Sequence, residues 1–530
     1  MTVSADPDPA PLRSIGIVGG GQLALMLAEA AAPLEVAVHV QTPHPDDPAT
    51  RRAASVVEAP LQAVQATREL AERCGAISFE NEWIPIEDLS VLAEEGVRFL
   101  PGLEALRPLI DKRSQRQLLD ALHLPTLRWC PLEAVLPHPD DPQDSEAAAE
   151  PADAQGQPTG THDRSGRQPN GMPLAAPPVP RLPQGFRFPV MAKAASGGYD
   201  GKGTRVLRHQ AELEALLEEV EPEAWLLEEL VRFDLELALV ACRDRGGAVQ
   251  LFPLVQTHQH RQVCDWVLAP APVDHGVGAF ARNVAASLLT ALDYVGVLAI
   301  EFFYGPAGLQ INEIAPRTHN SGHYTIEACR TSQFEQQVRI VTGQPMGDPA
   351  LKVPGALMLN LLGQSNAPTA AEQQERLQSL QALPGAHLHW YGKSEERSGR
   401  KLGHLTLLLQ GETQEARQQE AQERIEQVRQ LWPLPDPSRS SDAQRPGAVP
   451  AGPAAEVPEP GPAQPAAATA RAPEPATAQP GKAAAAGIPA PGSPAAEALQ
   501  AEAAADPGTP AAKGSSVATP EPQAPTSERQ

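Results

Sequence analysis

The stretch Gly296-Val-Leu-Ala-Ile-Glu-Phe-Phe-Tyr-Gly-Pro-Ala-Gly-Leu-Gln-Ile-Asn-Glu-Ile-Ala-Pro-Arg317 decides the fold. Two β-rich runs, 297–304 and 309–313, flank Gly305-Pro-Ala-Gly, and that pattern predicts a hairpin. Folding it about Pro306 sets Glu301 opposite Asn312 and Glu313, within cross-strand reach. Two carboxylates on a face otherwise rich in Ile, Leu and Phe repel each other unless a cation sits between them. Magnesium takes carboxylate oxygens completed by phosphate. The alternative, solvated acids on an exposed sheet face, fits the apolar flanks poorly. Arg317-Thr-His-Asn-Ser-Gly-His323 follows at once. Its donors suit an anion beside a metal, although an ordinary loop could also contain them.

Upstream, Lys193 ends a strand and Ser196-Gly-Gly-Tyr-Asp-Gly-Lys-Gly-Thr204 leads into another, Thr204-Arg-Val-Leu. Glycines let backbone amides approach a polyphosphate while the ammonium neutralises its oxygens. No helix follows directly, so this is not a GxxxxGK[ST] loop, and a flexible hairpin turn is the plainer alternative. A helix over 210–219 and a strand over 225–231 come next. A strand pair, 235–243 and 249–255, and a helix near 278–292 lead into the hairpin. Before Lys193, a helix over 110–122 carries Lys112, Arg113 and Arg116.

The chain opens with Ser14-Ile-Gly-Ile-Val-Gly-Gly-Gly-Gln-Leu-Ala, a strand meeting a glycine turn and a helix. Strands at 36–40 and 76–80 alternate with helical sequence, which predicts a parallel α/β sheet to about residue 109. The turn could hold a phosphate at the helix N-terminus or simply connect strand to helix. A dinucleotide site also wants an acid at the end of the second strand, where Gln41 stands. A dehydrogenase is disfavoured. At the other end, Trp390-Tyr-Gly-Lys393 and Ser398-Gly-Arg-Lys401 form a cationic cluster that is either a solvated turn or a grip on a phosphate. A small domain over 351–434 ends in a helix with Ala421, Ile425, Val428 and Trp432 on one stripe.

With 530 residues and a formal charge of −23, the chain does not present a nucleic-acid-binding surface, which needs clustered cations. Five scattered cysteines without a CxxC pair suit a reducing cytoplasm and offer no zinc site or disulfide framework. Residues 1–12, acidic and proline-rich, do not read as a signal peptide, and no apolar run is long enough to span a membrane. Residues 138–182 read as a low-complexity surface insertion. Residues 435–530, nearly all Ala, Pro, Glu, Gly, Ser and Thr, have too little apolar area to offset ordering entropy and read as a disordered tail.

Taken in order, GGYDGKG, GVLAIEFF…INEIAPRTHNSGH and HLHWYGK…GRKLGH resemble the ATP-grasp superfamily. Within it they resemble the 5-(carboxyamino)imidazole ribonucleotide synthases. The similarity spans about residues 12–434 apart from the insertion. It implies a Rossmann-like pre-ATP-grasp parallel sheet over 12–109, an α+β ATP-grasp domain over 110–350 and the small C-terminal domain. It also implies ATP- and bicarbonate-dependent carboxylation of 5-aminoimidazole ribonucleotide through carboxyphosphate, by a cytoplasmic homodimer using magnesium. By resemblance, Lys112, Lys193 and the loop Gly198-Tyr199-Asp200-Gly201-Lys202-Gly203-Thr204 contact ATP. Relatives commonly carry Arg at the position of Lys112. Glu228, Glu229, Leu230 and Val231 line the adenine, Glu236 holds the ribose, and Asn312 and Glu313 complete the nucleotide site. Glu301 and Glu313 bind magnesium, and Arg317, His319 and Asn320 cradle bicarbonate. Gly21, Gln22, Glu80, Lys393, Arg400 and Lys401 bind the ribonucleotide. Where relatives often have a nucleotide-contacting histidine, this chain has Thr257-His-Gln-His, and the contact stays open among His258, Gln259 and His260. Another ATP-grasp ligase, such as a formate-dependent transformylase, is the nearest rival. A catalytically idle scaffold is the rival of a different kind, opposed by the intact acids, lysine and glycine loop.

Removing residues 436–530 should leave fold and turnover nearly unchanged, because that segment has no apolar periodicity with which to dock. A melting curve and an ADP-release assay on the truncated chain check this; a large fall in either would make the tail structural.

Overall fold

The computed structural model describes residues 10–137, 180–198, 203–366, 368–393 and 396–435. The expectations for the tail, for most of the insertion and for Tyr199, Asp200, Gly201 and Lys202 lie outside the described residues.

The first sheet is parallel, in the order β3-β2-β1-β4: β1 Ser14–Val18, β2 Ala37–Thr42, β3 Ser55–Glu58 and β4 Ile77–Phe79. The strand β3 was not anticipated from sequence. It is four residues long and lacks flanking turn signals. The helix Gln22–Ala31 buries Leu23 through Ala28, so it is apolar nearly all round. Packing explains this: it shares a core with the sheet below it and with Phe334, Val338 and Val341 of the helix Gln333–Thr342. Gln41 is wholly buried at the end of β2. It donates to the Pro60 carbonyl at 2.8 Å and accepts from Thr67 Oγ1 at 2.7 Å, so it is a strut.

A second sheet, antiparallel in the order β5-β8-β6-β7, comprises β5 Trp129–Pro131, β6 Val190–Ala194, β7 Thr204–Leu207 and β8 Trp225–Glu229. The helix Gln210–Glu219 covers it through Leu213 and Leu216. The third sheet has nine strands: β9 Leu235–Arg243, β10 Val249–Leu251, β11 Val255–His260, β12 Val263–Ala269, β13 Gly296–Gly305, β14 Gly308–Ala315, β15 Gly355–Leu362, β16 Ala386–Trp390 and β17 Lys401–Leu409. Its order is β14-β13-β9-β11-β12-β15-β17-β16, with β10 paired to β9. Because β12 pairs with β15, from Trp266↔Leu359 to Ala269↔Ala356, the C-terminal strands continue the central sheet. One apolar core runs from Val18, Leu70 and Ile77 through Leu106 and Leu119 to Leu237, Ile300 and Phe302. It ties the parallel sheet to the hairpin. Among the described residues no helix is long and apolar enough to cross a membrane.

The helix Gln414–Leu431 closes the C-terminal strands. Ala421, Val428 and Trp432 are buried and Ile425 is half-buried, matching the expected stripe. The Trp432 indole donates to the Leu362 carbonyl at 2.9 Å and meets Trp390 edge-on at 5.7 Å. Arg429 pairs with buried Asp265 of β12. Replacing Trp432 by Ala should therefore destabilise the protein by about 3–5 kcal/mol, the range for a buried aromatic. A shift in the urea midpoint at unchanged slope would check it, and a loss within experimental error would show the indole to be dispensable.

Candidate active site

The start of the glycine loop, residues 196–198, meets the β13–β14 hairpin and the helix Lys112–Ala121 at one cleft. Asp111 caps that helix, accepting from the Arg113 and Ser114 amides at 2.9 Å. Lys112 and Arg116, four residues apart, then share a face. The cleft is lined by Lys112, Gln115, Ser196, Gly198, Glu82 and Glu313.

Lys193, at the end of β6, is buried. Its Nζ lies 2.6 Å from Glu228 of β8 and donates to Asn312 Oδ1 at 3.1 Å. Arg116 approaches the other side of Glu228 at 2.7 Å. Burial alone would raise the Glu228 carboxyl, but Lys193 and Arg116 hold it down at about 2. Burial in turn lowers Lys193, opposed by Glu228. The side chain of Glu228, expected beside adenine, is thus committed to two cations instead. Only its main chain, with exposed Glu229, exposed Leu230 and half-buried Val231, is placed to edge a ligand.

The hairpin forms as the sequence required, with Glu301 opposite Glu313. The register shifts between Glu301 and Phe302, so β14 carries Asn312 as an extra residue. Such a bulge re-aims side chains, and here Asn312 meets Lys193 while Glu313 pairs with Lys112. Burial, then Glu313 and Glu236, pushes the Glu301 carboxyl up to about 7. Glu236 stands opposite Phe303, two residues from Glu301, and burial raises it also to about 7, opposed by His258 and the Gln259 amide. Gln259 therefore meets the site through its main chain. His258 stacks on Trp266 at 5.1 Å and faces Asp265 at 3.3 Å.

Arg317 is paired with Glu82, its Nε 2.7 Å from Oε2, which joins the loop after β14 to the segment after β4. His319 accepts from the Ser321 amide through Nδ1 at 3.3 Å, and its Nε2 lies 3.5 Å from Glu301. Burial, then Arg317 and Lys401, keep it well below the usual histidine range and hence neutral. Asn320 does not stand open to the cleft as expected. Its amide forms a reciprocal pair with Asn360, at 2.9 and 2.7 Å. An amide nitrogen carries two hydrogens, so one N–H stays outside that pair.

Lys401 lies near enough to Glu301 to oppose its upward shift. Lys393 donates to the Lys401 carbonyl at 2.8 Å and sits 5.3 Å over the Tyr391 ring. The adjoining Arg400 precedes β17. At the glycine turn a correction is required. Glu80 accepts from the Gly21 amide at 2.6 Å and from the Leu23 amide at 3.0 Å. The helix N-terminus beside Gln22 is thus capped by a carboxylate, and its amides are not offered to phosphate. Thr204 donates to Gln262 at 2.7 Å, and Gly203, at φ +76°, occupies the left-handed region that glycine tolerates.

Three further side chains were given no site role from the sequence. Arg116 had a signal, its four-residue spacing from Lys112. Glu82 and Arg51, which donates to the Tyr391 carbonyl, had none, since their partners are remote in the chain.

Comparison with known proteins fits this geometry. Three family models match in chain order: the ribonucleotide synthetase preATP-grasp domain at residues 12–108, the ATP-grasp domain at 178–334 and the phosphoribosylaminoimidazole carboxylase C-terminal domain at 356–419. The chain is 44% identical over 426 residues to N5-carboxyaminoimidazole ribonucleotide synthase of Synechococcus elongatus, covering 80% of this chain and 97% of the relative. It is 32% identical to the Bacillus subtilis enzyme of that name, covering 76% and 93%. The solved synthetase from Thermus thermophilus superposes with a TM-score of 0.60 at 31% identity, covering 79% of this chain and 98% of that one. The Aspergillus clavatus synthase in complex with ADP and 5-aminoimidazole ribonucleotide gives 0.64 at 25% identity, with the same coverage of 79% and 98%. This chain belongs to the N5-carboxyaminoimidazole ribonucleotide synthase family of ATP-grasp ligases.

Proposed function

We propose that the chain carboxylates 5-aminoimidazole ribonucleotide with ATP and bicarbonate, giving 5-(carboxyamino)imidazole ribonucleotide for purine synthesis. Beyond family membership, one observation supports the reading. Lys401, from the late cationic cluster, acts electrostatically on Glu301 of the hairpin. A ribonucleotide phosphate on that cluster and a polyphosphate at the hairpin would therefore address a single cleft.

Lys193, Lys112 and the glycine loop hold the ATP phosphates, the main chain of 228–231 edges the adenine, and Glu236 accepts from the ribose. Magnesium fits the donor set: two carboxylates, Glu301 and Glu313, with the Asn312 amide beside them. Among the described residues no group of three or more His, Cys, Asp or Glu is arranged as a metal site, so phosphate oxygens would complete the coordination. Bound there, the metal supplies screening for the charge on the transferring phosphoryl group. Arg317 and neutral His319, whose Nε2 carries the proton, orient bicarbonate, with Asn320 contributing its remaining N–H. The bicarbonate oxygen attacks the γ-phosphorus as the bond to ADP breaks, and carboxyphosphate forms. It releases carbon dioxide and phosphate inside the closed site. The exocyclic amine then captures the carbon dioxide and gives up a proton. Water is excluded because it would destroy the intermediate. Lys393, Arg400 and Lys401 hold the ribonucleotide phosphate, and Glu80, already fixed on the glycine turn, faces its sugar. Five free thiols suit a reducing cytoplasm, where we place the enzyme, and the homodimer is carried over from the resemblance.

Release of ADP that requires both bicarbonate and the ribonucleotide tests the whole reading. Dependence on formate would favour the transformylase rival, and no ribonucleotide-dependent release would remove the assignment. Glu313→Gln, nearly isosteric, should keep the fold and abolish magnesium-dependent turnover. Full activity at limiting magnesium would place the metal elsewhere. Arg400→Ala should raise KM for the ribonucleotide about ten- to a hundredfold, the equivalent of one charged hydrogen bond of about 1.5–3 kcal/mol, and barely move KM for ATP. Lys193→Ala should do the reverse. If Arg400→Ala weakened ATP equally, a separate phosphate site would be wrong.

A further inference from the structure

Five buried polar atoms that lack a hydrogen-bond partner among the described residues belong to one cluster. They are both ring nitrogens of His323, Nε2 of His404, Oε2 of Glu327 and Oγ1 of Thr406. The His323 and His404 rings lie 4.7 Å apart, and His404 stacks on His389 at 4.4 Å and 6°. His389 Nε2 is 2.7 Å from Glu327 Oε1, and Tyr391 shares a hydrogen bond of 2.9 Å with His404 Nδ1. Thr406 is two residues from His404 on β17 and hence on the same face. One atom of His404 and one of Glu327 are thus satisfied within the cluster, and the opposite atom of each is left over.

Buried polar groups without partners are rare in folded proteins, and where they gather, ordered water supplies the missing bonds. The chemistry of the leftover atoms favours water over other guests. Burial, then neighbouring cationic or histidine groups, hold His323 and His404 well below the usual range, so both are neutral. A neutral imidazole offers one donor and one acceptor, a carboxylate accepts, and a hydroxyl does both. The guest must therefore donate and accept. An anion would meet the Glu327 carboxylate, and the geometry for a metal ion is absent among the described residues.

The location gives this cluster a task. His323 ends the loop that begins at Arg317, and Glu327 lies in the short helix that follows it. His404 and Thr406 stand on β17, whose first residue is Lys401, and His389 stands on neighbouring β16. We propose that His323, Glu327, His404 and Thr406 enclose buried water, and that this hydrated bracket positions the β16–β17 cations against the anion loop. The positioning half rests on the proposed ribonucleotide site at Lys393, Arg400 and Lys401.

A crystal structure of the full chain, at a resolution that shows ordered solvent, should place water within hydrogen-bond distance of His323 and of at least one other member. A dry cluster repacked onto protein partners, or an ion with an anomalous signal, would overturn the proposal. In solution, Thr406→Val should raise KM for the ribonucleotide about five- to tenfold, as loss of one buried hydrogen bond does. KM for ATP should stay within about twofold, and Thr406→Ser should restore the first constant. His404→Phe should act in the same direction; should it fail to fold, the Thr406 pair still decides. Equal movement of both constants, or no movement, sinks the positioning role. Arg400→Ala separates the two readings. If it raises KM for the ribonucleotide and Thr406→Val does not, the bracket fails. If Arg400→Ala itself has no effect, the ribonucleotide site fails, and the crystal structure alone judges the water.

Discussion

One carboxylate organises the cleft. Glu228 is buried between Lys193 and Arg116. An ion taken from water into a protein interior costs several kcal/mol, and the cost is recovered only where partners and further hydrogen bonds are well placed. Here they are. Arg116 also donates to Thr126 Oγ1 at 3.0 Å and to the carbonyls of Ile311 and Asn312 at 3.1 and 2.6 Å. Those carbonyls belong to the bulged part of β14, so the charge that holds Lys193 also fixes the strand carrying Asn312 and Glu313. Two cations against one anion leave this triad a net positive charge. That excess is what a polyphosphate can use, and no flexible surface lysine would deliver it in a fixed place.

The acids opposite are arranged by the same sheet. Glu236, Glu301 and Glu313 come from three adjacent strands, and the register brings them onto a shared face. Burial pushes Glu301 and Glu236 up to about 7, and at Glu301 the neighbouring carboxylates Glu313 and Glu236 add to the rise. Strain of this sort is tolerable in a rigid ladder, and perturbed carboxylates gathered in a cleft are a mark of functional sites. The surrounding ion pairs, Lys112 with Glu313 and Arg317 with Glu82, balance most of the charge locally.

Local pattern made the hairpin and the helix over 210–219 readable, because each carries its periodicity or turn chemistry in a few consecutive residues. It could not show what a side chain meets far away. Asn320 looked like an anion ligand and is engaged by Asn360. Glu228 was expected to line the adenine, and its carboxylate is a buried counter-ion. Glu80 was assigned to substrate, yet it also caps the helix after the glycine turn, which removes the phosphate reading of that turn. Gln41, noticed only because it stands where a dinucleotide site would need an acid, proved to be a satisfied internal strut. Arg317 and Glu82 are separated by 235 residues, and no local rule joins them.

The shape of the nine-stranded sheet explains how its two halves cooperate. Along the sheet β17 is five strands from β13, so in a flat sheet Lys401 and Glu301 would be held apart by about 24 Å of strand spacing. Side chains could not bridge that gap, yet Lys401 acts on both Glu301 and His319. Twist resolves the conflict. A typical twist of about 20–25° per strand accumulates to roughly a right angle over five steps, enough to turn the start of β17 toward the sheet face. Register shifts at Glu301/Phe302, His258/Gln259 and Leu361/Leu362 add to it, since bulges increase local twist. The loop from Arg317 to His323 bridges the two halves, with His319 3.5 Å from Glu301 of β13 and Asn320 paired with Asn360 of β15. The hairpin and the cationic cluster are therefore joined by backbone hydrogen bonds through one sheet, and a change that flattened it would separate them without touching a residue of either.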